Sequence, residues 1–172
     1  MSSRFTRTHL TARGFEGFER FADLPAEQVS SSGGVYVVLR ESDSPQTFLP
    51  ISLAGRNKGR DPSVAPETLA SAWVPGEYLL YIGRAAIGPS GRRGISKRLD
   101  EFRRHGAGEP VGHWGGRYVW QLADHEKLRV AWKPDQDPAA AEADLLDEFI
   151  AHHGRLPFAN LRRGDRRSAS TL

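Results

Sequence analysis

The chain has 172 residues, 38% of them hydrophobic, no cysteine, a formal charge of +3 and an isoelectric point near 9.5. That length suits one domain, and the lack of thiols excludes disulfides, cysteine nucleophiles and cysteine-ligated zinc or iron–sulfur sites. No apolar run reaches membrane-spanning length and no leader-like apolar stretch opens the chain, so a cytoplasmic protein without membrane contact is expected.

Residues 1–33 are polar, with Phe15, Phe18 and Phe21 at helix-like spacing. They are expected to form an extension packed on the core, with a short helix presenting those rings. The Ser-Ser-Ser-Gly-Gly run at 30–34 is a turn signal. Residues 34–40, Gly-Val-Tyr-Val-Val-Leu-Arg, predict a strand with Val35, Val37 and Leu39 on one face and Tyr36 and Val38 on the other. Residues 41–76 are rich in Ser, Pro, Gly and charge and read as an insertion. It would carry an exposed basic loop at 55–61 and a short helix near 66–73, and a connection this long is usually functional or mobile.

Residues 77–84 predict the second strand, with Tyr81 sharing a face with Leu79. Gly88, Gly91 and Gly94 then lead into a helix at 95–105 whose buried stripe is Ile95, Leu99 and Phe102. Arg98 sits at the edge of that stripe, with His105 on the same flank, and Lys97 and Arg104 face water. Apart from Asp100 and Glu101, every charge from Arg84 to Arg104 is positive. A glycine-rich loop feeding a helix N-terminus amid arginines suits a phosphate, and a solvated basic face is the other reading. Two more strands are expected at 116–122 and 127–134, joined as a hairpin, with Trp114, Trp120 and Trp132 in the core. The tail at 161–172 carries Arg162, Arg163, Arg166 and Arg167. It is expected to be disordered and to touch phosphates non-specifically.

The most informative stretch is the last helix. Asp137 suits its N-cap, Pro138 its first position and Gly154 its exit. At 100° per residue Leu145, Leu146, Phe149 and Ile150 form one stripe, with Glu142 at its centre. A carboxylate in an apolar stripe needs a partner. A buried arginine would satisfy it structurally, and a metal ion would satisfy it functionally. No Walker loop, zinc-protease spacing or nucleophile elbow competes elsewhere in the chain.

Taken in order, Gly34-Val35-Tyr36, Tyr81-Ile82-Gly83, Arg98, Glu142 and Asn160 resemble the GIY-YIG nuclease family over residues 34–160. The chain departs from it in Val35, in the long gap between the tripeptides, and in the distance from Glu142 to Asn160. Glu148 lies at a more usual distance from Asn160, but helical phase turns it away from the stripe. The resemblance implies an α/β (α+β) domain with a small, mostly antiparallel central sheet flanked by helices. It implies metal-dependent DNA hydrolysis, with Tyr36 as base, Tyr81 as its neighbour, Arg98 on the phosphate, Glu142 holding magnesium or manganese, and Asn160 fixing local geometry or a phosphate. His105 is a second candidate base or phosphate ligand. Arg84, Arg92, Arg93, Lys97 and Arg104 are the candidate DNA contacts, with RNA as a further substrate class. Specificity would come from the insertion, the N-terminus or a partner protein, and double-strand breaks from one active site would call for a homodimer or sequential nicking. Two other readings stand beside it: a catalytically inactive nucleic-acid-binding module of the same fold, and an enzyme holding small nucleotides in the loop at 88–94.

Overall fold

The computed structural model describes residues 3–25 and 27–164. It is an α+β domain in which four strands, β1 (Glu16–Arg20), β2 (Gly34–Leu39), β3 (Leu79–Ala85) and β4 (Arg129–Pro134), form one sheet. The order is β1-β4-β2-β3, and every neighbouring pair is antiparallel. Four helices accompany it: α1 (Arg7–Ala12), α2 (Pro66–Ala72), α3 (Ile95–Gly106) and α4 (Pro138–His153). No helix of the described residues is long and apolar enough to cross a membrane.

Strand β2 is buried along its whole length, which is why its sequence is continuously apolar instead of alternating with polar residues. Its pleat sends Val35, Val37 and Leu39 into a core shared with Leu145, Leu146 and Phe149 of α4. Tyr36 and Val38 point the other way, into a core built on Ile95, Leu99 and Phe102 of α3. Helix α4 has the expected ends. The Asp137 carboxylate accepts from the Ala140 N–H at 3.1 Å, and Gly154 takes a left-handed conformation, φ 70°. Helix α3 is capped differently. The N–H groups of Ile95 and Ser96 donate to the carbonyls of Ser32 and Ser30, each at 2.9 Å. The first donors of α3 are therefore taken, so the loop at 88–94 does not present them to a phosphate as the glycine pattern suggested.

Three local expectations are corrected. Residues 116–122 are not a strand, since Trp114–Gln121 is 3-10 helical. The segment kinks at Gly116, and Gly116, Val119, Trp120, Gln121 and Leu122 are all buried. Gly116 is required there, because a Cβ on it would lie 2.7 Å from the Phe102 ring. The strand beside β4 comes instead from residues 16–20, where a helix was expected. Phe15, Phe18 and Phe21 are buried as anticipated, but Phe18 reaches the core through a positive φ of 58° in an irregular register. Finally, Tyr81 and Leu79 lie on opposite faces. The pairing passes from Val38 with Tyr81 to Leu39 with Leu79, so Leu80 is an extra residue in β3. A bulge of one residue reverses the side-chain alternation and places Tyr81 on the Tyr36 side.

The insertion at 41–76 is packed against the domain. Gln121, 1% exposed, accepts from the Val64 N–H at 2.9 Å and donates to the carbonyls of Leu49 and Val64 at 2.9 and 2.7 Å. Helix α2 lies within the expected range.

Candidate active site

Five of the six candidate catalytic residues, from five parts of the chain, line a single cavity of about 990 Å³. Strand β2 supplies Tyr36 and β3 supplies Tyr81, with ring centroids 6.0 Å apart. Helix α3 supplies Arg98, α4 supplies Glu142, and the chain after α4 supplies Asn160. The cavity is also lined by Arg84, Arg117, Arg162 and Arg163, with Glu142 as its one lining carboxylate among the described residues.

Tyr36 is fully buried and lies flat over its cross-strand partner Gly83. A Cβ at Gly83 would fall 2.6 Å from the Tyr36 hydroxyl and 2.4 Å from the carbon bearing it. The glycine of the second tripeptide thus makes room for the tyrosine of the first. Gly83→Ala is expected to displace that ring. The displacement should cost about 1–3 kcal/mol of stability, the usual price of overpacking, with activity falling by more than stability does. Thermal denaturation read beside a turnover assay checks this, and a variant with normal turnover would show that the ring's position is unimportant.

The Tyr36 hydroxyl lies 2.8 Å from His113 Nε2. The imidazole stacks on Phe102 at 3.7 Å, nearly parallel. Burial, then the Arg98 charge, holds His113 well below the ordinary imidazole value, so it is a neutral ring that can accept a hydrogen bond. Burial, followed by Tyr81, pushes Tyr36 well above the ordinary phenol value, and Arg98 opposes them. Tyr81 is raised by burial, against Arg98. Both phenols are therefore neutral at physiological pH.

Arg98 Nη1 donates to Glu101 at 3.1 Å and to the Gly112 carbonyl at 3.0 Å. Burial alone would lower its pKa, but Tyr36 and Glu101 outweigh that and keep it raised. It is a fixed positive charge, anchored through Nη1 and interacting with the Tyr36 phenol. Glu142 is pushed above the ordinary carboxylate value, first by burial, against Arg84, Arg162 and Arg98. Arg84 Nε stands 3.3 Å from its carboxylate. Asn160 works on the backbone. Its amide donates to the Ile82 carbonyl and accepts from the Ile82 N–H, each at 2.9 Å. In this way it substitutes for a neighbouring strand at the edge of β3 and holds Tyr81-Ile82-Gly83 in place.

Comparison of the chain with family models, with curated proteins and with solved structures finds no match. The functional reading therefore rests on the site itself.

The other candidate residues divide between this cavity and the rest of the surface and core. His105 does not reach the cavity. It sits three residues beyond Phe102, where the apolar stripe of α3 continues, and it is fully buried with neither ring nitrogen hydrogen-bonded. Burial, aided by Arg117, lowers its pKa. The histidine at the site is instead His113, in a Gly-His-Trp-Gly-Gly run. Glu148 is on another face, paired with Arg13 at 2.8 Å. Of the expected DNA contacts, Arg84 lines the cavity. Arg92, Arg93 and Lys97 line a neighbouring hollow of about 580 Å³, and Arg93 meets Glu101 at 3.2 Å. Arg104 is turned to Glu109 at 2.6 Å. Arg162 and Arg163 fold back over the cavity, and Arg163 pairs with Asp147 at 2.5 Å. Arg166 and Arg167 lie outside the described residues.

Among the described residues no group of three or more His, Cys, Asp or Glu gathers as a metal cluster. The donors facing the cavity are one carboxylate and phenolic oxygens, all hard. That set does not suit zinc, and it suits a magnesium or manganese ion that keeps most of its waters. Burial gives the Glu142 carboxylate a reason to take a cation, in competition with Arg84. The residues fit such an ion.

Proposed function

We propose that this protein is a metal-dependent endonuclease of the GIY-YIG type, hydrolysing phosphodiester bonds in DNA. The observation that carries the reading is the convergence of two phenols, a fixed guanidinium and a half-buried carboxylate in one arginine-lined cavity. Arg98 donates to a non-bridging oxygen of the scissile phosphate and stabilises the charge that grows on it in the transition state. Tyr36, as the minority phenolate left when its own proton has passed to solvent, takes a proton from the attacking water, and His113 stands behind the Tyr36 oxygen at 2.8 Å. Tyr81 orients the same water, and Asn160 positions β3. Glu142 would hold magnesium or manganese, which when bound supplies Lewis acidity at the leaving oxygen.

A second reading has one observation in its favour. Arg84 already pairs with Glu142, as it would in a nucleic-acid-binding module without catalysis. Plasmid nicking in magnesium against EDTA separates the two. Nicking in magnesium alone supports the nuclease. Retention of DNA without nicking, across supercoiled, linear and branched forms, supports the binding module. Within the first reading, Arg98→Ala is expected to lower turnover by about 10²–10³, with little change in DNA affinity. Binding lost in proportion to rate would make Arg98 an anchoring contact only.

A further inference from the structure

The insertion between β2 and β3 reaches the cavity at one point. The N–H of Asn57 donates to the Arg60 carbonyl at 3.2 Å, and the N–H of Arg60 returns the bond at 3.0 Å. Lys58 and Gly59 between them have positive φ, 50° and 76°, the geometry of a tight two-residue hairpin turn. This hairpin places the Arg60 guanidinium 4.6 Å from the Trp114 ring centroid. Arg117 lies 4.4 Å from that centroid and donates to the Trp114 carbonyl at 3.3 Å. Asn57, Trp114 and Arg117 all line the cavity.

These two arginines differ from three others that line the cavity. Arg84 faces Glu142, Arg98 faces Glu101 and Arg163 faces Asp147. Among the described residues no carboxylate within ion-pair distance faces Arg60 or Arg117, and Asp61 pairs with Arg56 instead. Burial lowers the Arg117 pKa, and the Arg60 charge lowers it further. Two guanidiniums held on one indole beside a cavity repel each other until an anion arrives.

We propose that Arg60, Trp114 and Arg117 form a phosphate-gripping wall, through which the hairpin at 55–61 holds the DNA backbone next to the scissile phosphate. The indole keeps the two guanidiniums stacked, and their N–H edges serve phosphate oxygens. The insertion is then a substrate clamp, joined to the core by Gln121 and to the cavity by Asn57 and by the stack of Arg60 on Trp114. This inference rests on the nuclease reading only for the identity of the anion.

The test is binding of a labelled DNA duplex in EDTA, where no cleavage occurs, as a function of salt. Arg60→Ala and Arg117→Ala should each weaken binding several-fold and reduce the slope of log affinity against log salt by about 1. Trp114→Leu keeps both charges but removes the platform, and it should weaken binding as well. Arg20→Ala, whose side chain pairs with Asp23 on β1's side of the sheet, should match the wild type. Arg60 is exposed, so its variant reports on contact and not on folding. An unchanged slope in Arg60→Ala overturns the proposal, as does failure of the wild type to bind DNA at all. Altered slopes in a protein that never nicks would leave the wall standing and remove the nuclease.

Discussion

Glu142→Gln is expected to abolish magnesium-dependent nicking while leaving a metal-free protein that is more heat-stable than the wild type. The two effects have one cause. In the folded chain Glu142 is held above its ordinary pKa because burial opposes its charge more than Arg84, Arg162 and Arg98 favour it. A group raised in this way contributes its full stability below the unfolded value and loses it as pH rises through the folded one. At neutral pH the ionised carboxylate therefore weighs against the fold, and an amide of the same shape does not. Loss of a metal ligand worth several kcal/mol to the transition state should lower turnover by about 10³ or more. DNA affinity should hold or tighten, since a negative charge leaves an arginine-lined cavity. Magnesium should raise the melting temperature of the wild type by mass action and not that of the variant. Thermal denaturation with and without magnesium measures this apart from activity. Nicking that survives in Glu142→Gln would remove the carboxylate from the chemistry.

The two sides of this site were not equally visible in the sequence. Tyr36, Tyr81, Arg98 and Glu142 lie on β2, β3, α3 and α4, and each of these elements has a local cause in its own residues. The continuous apolar run of β2 and the Asp137 and Gly154 ends of α4 are determined within a few positions. What escaped was set by partners far along the chain. Residues 116–122 have strand-like composition, but tertiary packing overrides that weak preference. Gly116 must pass under Phe102, and Gln121 must face the insertion. The extra residue at Leu80 exists only in the pairing with β2, so alternation counted along β3 alone gave the wrong face for Leu79. Helical phase put Glu142 inward but could not reveal Arg84 as its neighbour. His113 and Arg60 carry no periodic signal, because loops bring the one to Tyr36 and the other to Trp114.

Tyr36→Phe is expected to lower turnover by about 10²–10⁴, the usual worth of a positioned base, and to flatten its dependence on pH. Burial and Tyr81 hold the phenol well above its ordinary value, so the phenolate is a minor species that grows tenfold with each pH unit below that pKa. A reaction needing it should speed up with pH at a slope near one through the neutral and mildly alkaline range. His113 does not remove this demand. The ordinary values of phenol and imidazole already differ by about 3.5 units, or about 5 kcal/mol, and burial drives the two further apart. Nε2 can hold the hydroxyl's hydrogen at 2.8 Å, but full transfer to it is uphill beside the positive Arg98. The imidazole is thus a positioning group that aims the phenol oxygen at the water. His113→Ala should lower turnover less than Tyr36→Phe does and keep the pH slope, because the phenol remains the proton's destination. Rate–pH profiles of the three proteins at saturating DNA measure this. A slope that persists in Tyr36→Phe would mean that the proton leaves by another route, and a slope lost in His113→Ala would make the imidazole the acceptor.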